Sequence, residues 1–181
     1  MSEKYKFTDP EGTYFVMTTT VGWVDLFTRS ELKHIVINSL RYCQRKKGLR
    51  IHAWVLMPSH LHMIASTMGV PMDRIMGDFK KFTAKELIKA IDTPFESRKS
   101  WILDLFGEVS DRLNRVRNYK VWQDGNHPIL LTKPKFTRQK MDYIHNNPVA
   151  AEIVREPEDY LYSSAGDYGS RRKGYLAIDF I

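Results

Sequence analysis

The sequence predicts an α+β domain with a central antiparallel sheet and helices on one face of that sheet. Short runs of β-branched and aromatic residues alternate along the chain with longer segments whose apolar residues recur at helical spacing. The predicted order is strand, helix, strand, strand, helix, strand, helix, which matches a ferredoxin-like, split β-α-β arrangement. We expect one domain over residues 1–181, with a loose start at 1–10, an insertion at 93–118 and a tail at 169–181.

The first strand and the first helix open the domain. The aromatic and β-branched run Thr13–Thr20 predicts a strand. Apolar residues at helical spacing predict a helix over Glu31–Lys46, and Gly48 ends it. Thr28 and Glu31 have the spacing of a capping box at the start of this helix.

A strand pair follows. The alternating segment Leu49–Met57 and the shorter segment His60–Ala65 each predict a strand. Pro58 and Ser59 separate them, which indicates a hairpin or a kinked edge. Strict alternation in the first strand would place Ile51 and Val55 on the same face.

A second helix is predicted over Met72–Ile91, because Pro71 suits a helix start and an apolar stripe follows. Its lysines form a basic surface, in which Lys80, Lys81 and Lys85 are candidate phosphate contacts. An ordinary solvated helix face explains them equally well.

The second half of the chain is harder to interpret. Residues 93–118 mix charged and apolar side chains and suggest an inserted helical or irregular segment. Strands are predicted over Tyr119–Gln123 and Ile129–Leu131. The last helix is predicted over Phe136–Asn147, because Pro148 disfavours helical geometry in the residue before it.

Charge and cysteine content limit the classes of function and of metal site that are possible. The chain has 28 Lys and Arg against 21 Asp and Glu, a net charge of +7, which favours polyanions such as nucleic acid. Its one cysteine, Cys43, excludes an intramolecular disulfide and a zinc site built from several cysteines. The first residues lack a signal-type apolar stretch and no run is long enough for a membrane span, so we expect a cytoplasmic protein.

Two histidines form the strongest local feature. On a strand, residues two apart point to the same face, so His60 and His62 face one side while Leu61 faces the other. Two imidazoles placed in this way can converge on one metal ion. The same short pattern also occurs in strands that bind no metal.

Tyr143 and Asn147 are neighbours on one face of the last predicted helix, because they are four residues apart. The amide oxygen of Asn147 can serve as a hard ligand for Mg²⁺ or Mn²⁺. Tyr143 can act as a nucleophile beside such an ion. Alternatively, Tyr143 is a core or capping tyrosine and Asn147 a helix-end residue.

The other polar candidates are weaker. Arg171 and Arg172 form a small basic cluster near the tail that can reach DNA or be solvated. His52 is expected to pack in the sheet, and His127 to lie in a loop. His145 is adjacent to the tyrosine segment but on a different helix face, which makes it a poor general base.

These motifs together resemble a known family. The segment WVLMPSHLHMI is similar to the His–bulky apolar–His (HUH) motif of single-tyrosine transposases, and YIHNNPVAAEIV to their tyrosine-helix signature. FKKFTA and VWQDGNHPI resemble the intervening basic helix and the strand before the tyrosine helix. The likeness is strongest to the REP-associated tyrosine transposases and covers about Tyr14 to Tyr168.

The resemblance implies a mechanism. His60, His62 and Asn147 match the family's metal ligands, with Mg²⁺ or Mn²⁺ as cofactor, and Tyr143 matches the nucleophile. The implied activity is transposase chemistry: cleavage and rejoining of single-stranded DNA near hairpins through a 5′-phosphotyrosine. The chain departs from many relatives at 150–152, where Ala-Ala-Glu replaces a basic residue and a glycine, and in the longer segment 93–118.

Alternatives stay open at this point. A basic domain of the same fold can bind structured DNA or RNA without cutting it. A histidine-motif phosphohydrolase is disfavoured, because Ile64 stands where such motifs usually have a third histidine. Relatives include homodimers as well as monomers, so a homodimer is also an expected partner state.

Overall fold

A four-stranded antiparallel sheet forms the centre of the computed structural model, which describes residues 6–111, 119–169 and 173–181. The strands are β1 (Tyr14–Thr19), β2 (Leu49–Leu56), β3 (His60–Thr67) and β4 (Ile129–Leu130). Their spatial order is β2-β3-β1-β4, and every pairing is antiparallel. This order is that of a split β-α-β sheet, so the predicted fold class is confirmed.

The helices of the described residues are α1 (Ser30–Lys47), α2 (Met72–Ile91), α3 (Lys99–Asp111), α4 (Pro134–Ala150) and the short α5 (Ala165–Tyr168). The first two pack against each other, and α1 also packs against β2. Gly48 ends α1 in a left-handed conformation with φ of 72°, and its N–H donates to the carbonyl of Cys43. None of these helices is long and apolar enough to cross a membrane.

Both faces of the central strands are buried. Along β3, His62 alternates with Met63, and in β2 Val55 pairs with His62 while Trp54 pairs with Met63. All four residues are almost fully buried. The ring of Tyr143 places α4 on the His62 face, which leaves the Trp54 face to α1 and α2. The prediction that the helices lie on one face of the sheet therefore holds for α1 and α2. Helix α4 lies on the opposite face.

The predicted capping box is wrong. Thr28 belongs to a short 3₁₀ turn, and its hydroxyl donates to the carbonyl of Asp25 at 3.2 Å. The residue before α1 is Arg29, whose side chain makes no capping hydrogen bond. The Thr28 hydroxyl is therefore engaged within the preceding turn and does not cap α1.

Strict alternation in β2 is also wrong. The pairing of β2 with β3 shifts between Ile51 and Ala53, so His52 is the extra residue of a bulge. The bulge returns Ile51 to the face of Trp54. His52 is held by contacts of its two ring nitrogens with the carbonyl of Asp179 (2.6 Å) and Ser66 Oγ (2.9 Å).

The predicted strand over Tyr119–Gln123 is not a regular strand. It is joined to the end of β1 and the residue after it by an isolated bridge between Thr20 and Trp122 and by scattered hydrogen bonds, such as that from the N–H of Gln123 to the carbonyl of Thr19. The ammonium group of Lys80 donates hydrogen bonds to the carbonyls of Gln123 and Gly125, so these two carbonyls do not pair with a neighbouring strand.

The last helix is longer than predicted at both ends. It begins at Pro134, a favourable first residue, and continues past Pro148 to Ala150. A proline in the last turn removes a single intrahelical hydrogen bond, and the N–H of Ala151 still donates to the carbonyl of Asn147 at 3.0 Å. Asn147 is thus a helical residue with its side chain on a defined face.

The chain ends are partly described. The predicted insertion contains α3, and its residues 112–118 lie outside the described structure, as do residues 1–5 of the predicted loose start. The end of the tail packs against β2, where the N–H of Asp179 donates to the carbonyl of Ile51 at 2.9 Å. Leu176 of the tail is almost fully buried.

Candidate active site

The imidazoles of His60 and His62 lie side by side on β3. Their ring centroids are 4.8 Å apart. His62 is buried with 2% exposure, whereas His60 is half-buried. The strand period brings them to the same face, as the sequence predicts.

Helix α4 brings Tyr143 against this pair. The ring of Tyr143 meets His62 edge to face at a centroid distance of 5.3 Å. Phe15 of β1 stacks on His62 at 5.3 Å and touches Tyr143 at 6.1 Å, so it supports both rings. Tyr143 is 48% exposed, which leaves it open to a substrate from solvent.

Asn147 lies one turn further along α4. Its side chain lies close enough to His60 to favour the charged form of that imidazole. Tyr143 and Asn147, four residues apart on α4, therefore lie near His62 and His60 respectively. The structure therefore brings together the four residues that the sequence singled out from two distant segments.

The electrostatics of the pair favour neutral imidazoles. Burial lowers the pKa of His62 to about 3, and the positive charges of His60 and Lys140 act in the same direction. Burial also lowers the pKa of His60, against the opposing effect of the nearby Asn147 side chain. Both rings are therefore neutral near pH 7, which is the form that binds metals.

The residues present fit a divalent metal ion. Nδ1 of His62 is buried and has no hydrogen-bond partner in the described structure, an unfavourable arrangement that a ligand would relieve. No three His, Cys, Asp or Glu side chains group closely enough to hold a metal among the described residues. A metal at this place would be held by the imidazoles of His60 and His62 and by the amide oxygen of Asn147, and that oxygen is a hard ligand of the kind that Mg²⁺ and Mn²⁺ prefer.

Lys140 is a residue of this site that the sequence motifs did not predict. Its ammonium group lies 4.7 Å from the ring centroid of Phe15 and 5.6 Å from those of Tyr143 and Phe136. A cation over aromatic faces is favourable, and here it places a positive charge beside the tyrosine. The signal was present in the sequence, because Lys140 is three residues before Tyr143 and therefore on the same helical face.

Phe15 and Trp23 were also missed. Phe15 contacts His62 only because β1 pairs with β3, and no local pattern gives that register. Trp23 lies at the edge of the site, 5.7 Å from the ring centroid of His60. It follows β1 in a turn whose geometry the sequence alone does not reveal.

The other histidines lie elsewhere. His145 faces away from Tyr143, and its Nε2 lies 2.8 Å from the buried Ser164 Oγ. Burial lowers its pKa to about 4. His52 is packed in the sheet, and His127 lies in a loop with φ of 41°. These three placements agree with the sequence analysis.

A basic groove lies between α2 and the loop 119–126. Its volume is about 770 Å³. Lys81 and Lys85 line it and are exposed. Lys80 also lines it, but burial lowers its pKa to about 8, and its side chain binds the loop carbonyls of Gln123 and Gly125. Lys81 and Lys85 are thus the predicted phosphate contacts that remain open to solvent.

The same loop connects the groove to the candidate active site. The N–H of Gln123 donates to the carbonyl of Thr19 at 2.9 Å, and Thr19 pairs with His60 in the sheet. The groove therefore borders the strand end that carries the histidines. The predicted contacts Arg171 and Arg172 lie outside the described residues.

Comparison with known proteins places this geometry in a known fold. No protein-family model matches the sequence, and no curated protein matches it. Among solved structures, the chain is similar to a REP-associated tyrosine transposase bound to a REP hairpin, with 22% identity and a TM-score of 0.62 over 100% of this chain and 92% of that chain. That likeness shows that the two chains share an α+β fold.

A second solved structure, a candidate transposase from Deinococcus radiodurans R1, has 17% identity and a TM-score of 0.39 over 80% of this chain and 97% of that chain.

Proposed function

We propose that this chain is a metal-dependent single-stranded DNA transposase, an HUH enzyme with one nucleophilic tyrosine that cuts and rejoins DNA near hairpins. The observation that carries the proposal is the edge-to-face contact of Tyr143 with His62, beside His60 and Asn147. A solvent-open phenol can attack a phosphodiester as a nucleophile, and the neutral imidazoles beside it can hold a metal ion.

Tyr143 performs the covalent step. Its phenolic oxygen bonds to the backbone phosphorus, the bond from phosphorus to the 3′-oxygen breaks, and that oxygen leaves with the proton that the phenol gives up. The product is a 5′-phosphotyrosine ester and a free 3′-hydroxyl. The ester retains the bond, so the reverse attack by a 3′-hydroxyl rejoins DNA without another energy source.

His60, His62 and Asn147 would hold the divalent ion. When bound, such an ion polarises the phosphate and stabilises the charge that develops on it. The buried position of His62 keeps its ring neutral, and the stacked Phe15 fixes its orientation. Lys140 adds a fixed positive charge on the tyrosine side, where the phosphate must lie for attack.

The DNA path uses the basic groove. Lys81 and Lys85 supply exposed charges along α2, and the loop 119–126 runs from that groove to the strand end that carries the histidines. The solved neighbour of the same fold is bound to a REP hairpin. We extend hairpin-bearing single strands to this chain as the substrate class on the strength of that likeness and of the net charge of +7.

A covalent-adduct assay tests the proposal. The purified protein is incubated with a pool of hairpin-bearing single strands and Mn²⁺, and a denaturing gel reports protein joined to DNA. We expect an adduct that disappears with a chelator and in Tyr143→Phe. Tyr42→Phe is the matched control, because Tyr42 is also exposed, at 56%, but lies on α1. Salt-sensitive binding without any adduct would instead support a non-cutting nucleic-acid-binding module.

A further inference from the structure

Trp23 is an exposed indole at the edge of the candidate active site. It is 58% exposed, and its ring meets His60 at a centroid distance of 5.7 Å and an interplanar angle of 72°. The neighbouring apolar residues Val21 and Val24 are buried. The turn therefore buries Val21 and Val24 but leaves the large ring of Trp23 exposed to solvent beside a proposed metal ligand.

The backbone of this turn is unusual for a bulky residue. Trp23 has φ of 56° and follows Gly22 with φ of 63°. Left-handed geometry is uncommon for a tryptophan and persists only where the surrounding structure imposes it. Such positions cluster at functional sites.

Thr20 fixes the turn. This residue is fully buried, and its hydroxyl lies within hydrogen-bond distance of the carbonyls of Val24 (2.8 Å) and Ser59 (3.0 Å). Its N–H donates to Ser59, and its carbonyl accepts from the N–H of Trp23 at 3.1 Å. The turn is thus tied to the loop that precedes His60, so the indole and the histidines keep a fixed relation.

We propose that Trp23 is a stacking platform for an unpaired nucleobase next to the cleaved phosphate. The inference rests on the proposed function, which supplies single-stranded nucleic acid as the ligand. If the cleaved phosphate lies between His60 and Tyr143, a base adjacent to that phosphate can reach the indole of Trp23 beside His60. Stacking on an aromatic ring tolerates any base, because every base has a π-face.

A double-mutant cycle tests the stacking. The protein carries Tyr143→Phe so that nothing is cut, and binding is measured at low salt to an oligothymidylate and to an abasic strand of the same length. Trp23→Gly removes the ring and suits the left-handed backbone, so the turn is preserved. We expect this change to weaken oligothymidylate binding about tenfold and to leave abasic binding unchanged.

Two further variants complete the experiment. Trp23→Phe keeps an aromatic face and is expected to recover most of the affinity for oligothymidylate. Tyr42→Ala removes an aromatic side chain of similar exposure on α1 and is expected to change neither affinity. Equal effects of Trp23→Gly on the two ligands, or no effect on either, would overturn the stacking platform. The cycle measures binding alone, whereas failure of the proposed function appears as absence of an adduct with Tyr143 intact.

Discussion

The rings of His62 and Tyr143 lie edge to face with their centroids 5.3 Å apart, although one residue is on β3 and the other on α4. Neither element could supply this contact alone. The strand presents neutral imidazoles, and the helix presents a phenol that is open to solvent. Their contact joins the proposed metal ligands to the proposed nucleophile.

Metal affinity is expected to depend on the histidine pair and on Asn147. Replacing His60 by Ala or Asn147 by Leu removes a proposed ligand, so Mn²⁺ affinity in a calorimetric titration should fall by at least about tenfold. Asn147→Asp keeps an oxygen ligand and adds charge, so it should retain binding. His34→Ala on α1 is the control. Wild-type affinity in His60→Ala would contradict this ligand assignment.

Lys140 is expected to matter for the rate of adduct formation. Lys140→Met keeps an apolar chain against the rings but removes the charge, so the rate at saturating DNA should fall by about a hundredfold. Lys140→Arg retains the cation and should recover much of that rate. Lys135→Met, an exposed change elsewhere on α4, should leave the rate intact. Equal rates for Lys140→Met and the wild type would show that this charge does not act on the phosphate.

Salt dependence should report the basic groove. If Lys81 and Lys85 contact phosphates, changing both to Gln should reduce the slope of log affinity against log salt by about 0.7 for each lysine. The measurement is a salt titration of single-strand binding with Tyr143→Phe protein. Arg155→Gln, an exposed change outside the groove, serves as the comparison. An unchanged slope in the double variant would place the DNA elsewhere.

Stability should depend on pH through His145. Its pKa is about 4 in the folded chain and 6.5 as the ordinary value, because burial disfavours the charged ring. At a pH between these two pKa values, His145 is protonated in the unfolded chain and neutral in the folded chain. The contribution of His145 to the free energy of unfolding therefore falls as pH drops from about 6.5 to about 4, by up to about 3 kcal/mol for the full shift.

Denaturant titrations across that pH range check the effect. His145→Gln, which can still hydrogen-bond to Ser164, should show a smaller fall in the free energy of unfolding than the wild type. His34→Gln, which changes an exposed histidine, should follow the wild type. Identical pH profiles for His145→Gln and the wild type would rule out His145 as the group responsible.

Local patterns predict a large part of this fold. The β2–β3 hairpin and α2 follow from period-two and helical spacing, and the facing of His60 with His62 follows from strand geometry. The pairing of Tyr143 with Asn147 follows from helix geometry. These features depend on residues close in sequence, so a single sequence contains them.

The remainder depends on contacts between distant segments. Phe15 contacts His62 because of the register of β1 with β3. Lys80, predicted as a phosphate contact, instead donates a hydrogen bond to the loop 119–126. The bulge at His52 is stabilised by the tail through Asp179. No local spacing encodes such partners, which is why the sequence analysis missed them.

Locating the covalent bond tests the central claim most directly. Adduct formed with a hairpin-bearing single strand is digested with nuclease and protease, and the peptides are sequenced by mass spectrometry. We expect a 5′-linked nucleotide on the phenolic oxygen of Tyr143. A nucleotide on any other residue would contradict the assignment of Tyr143 as the nucleophile.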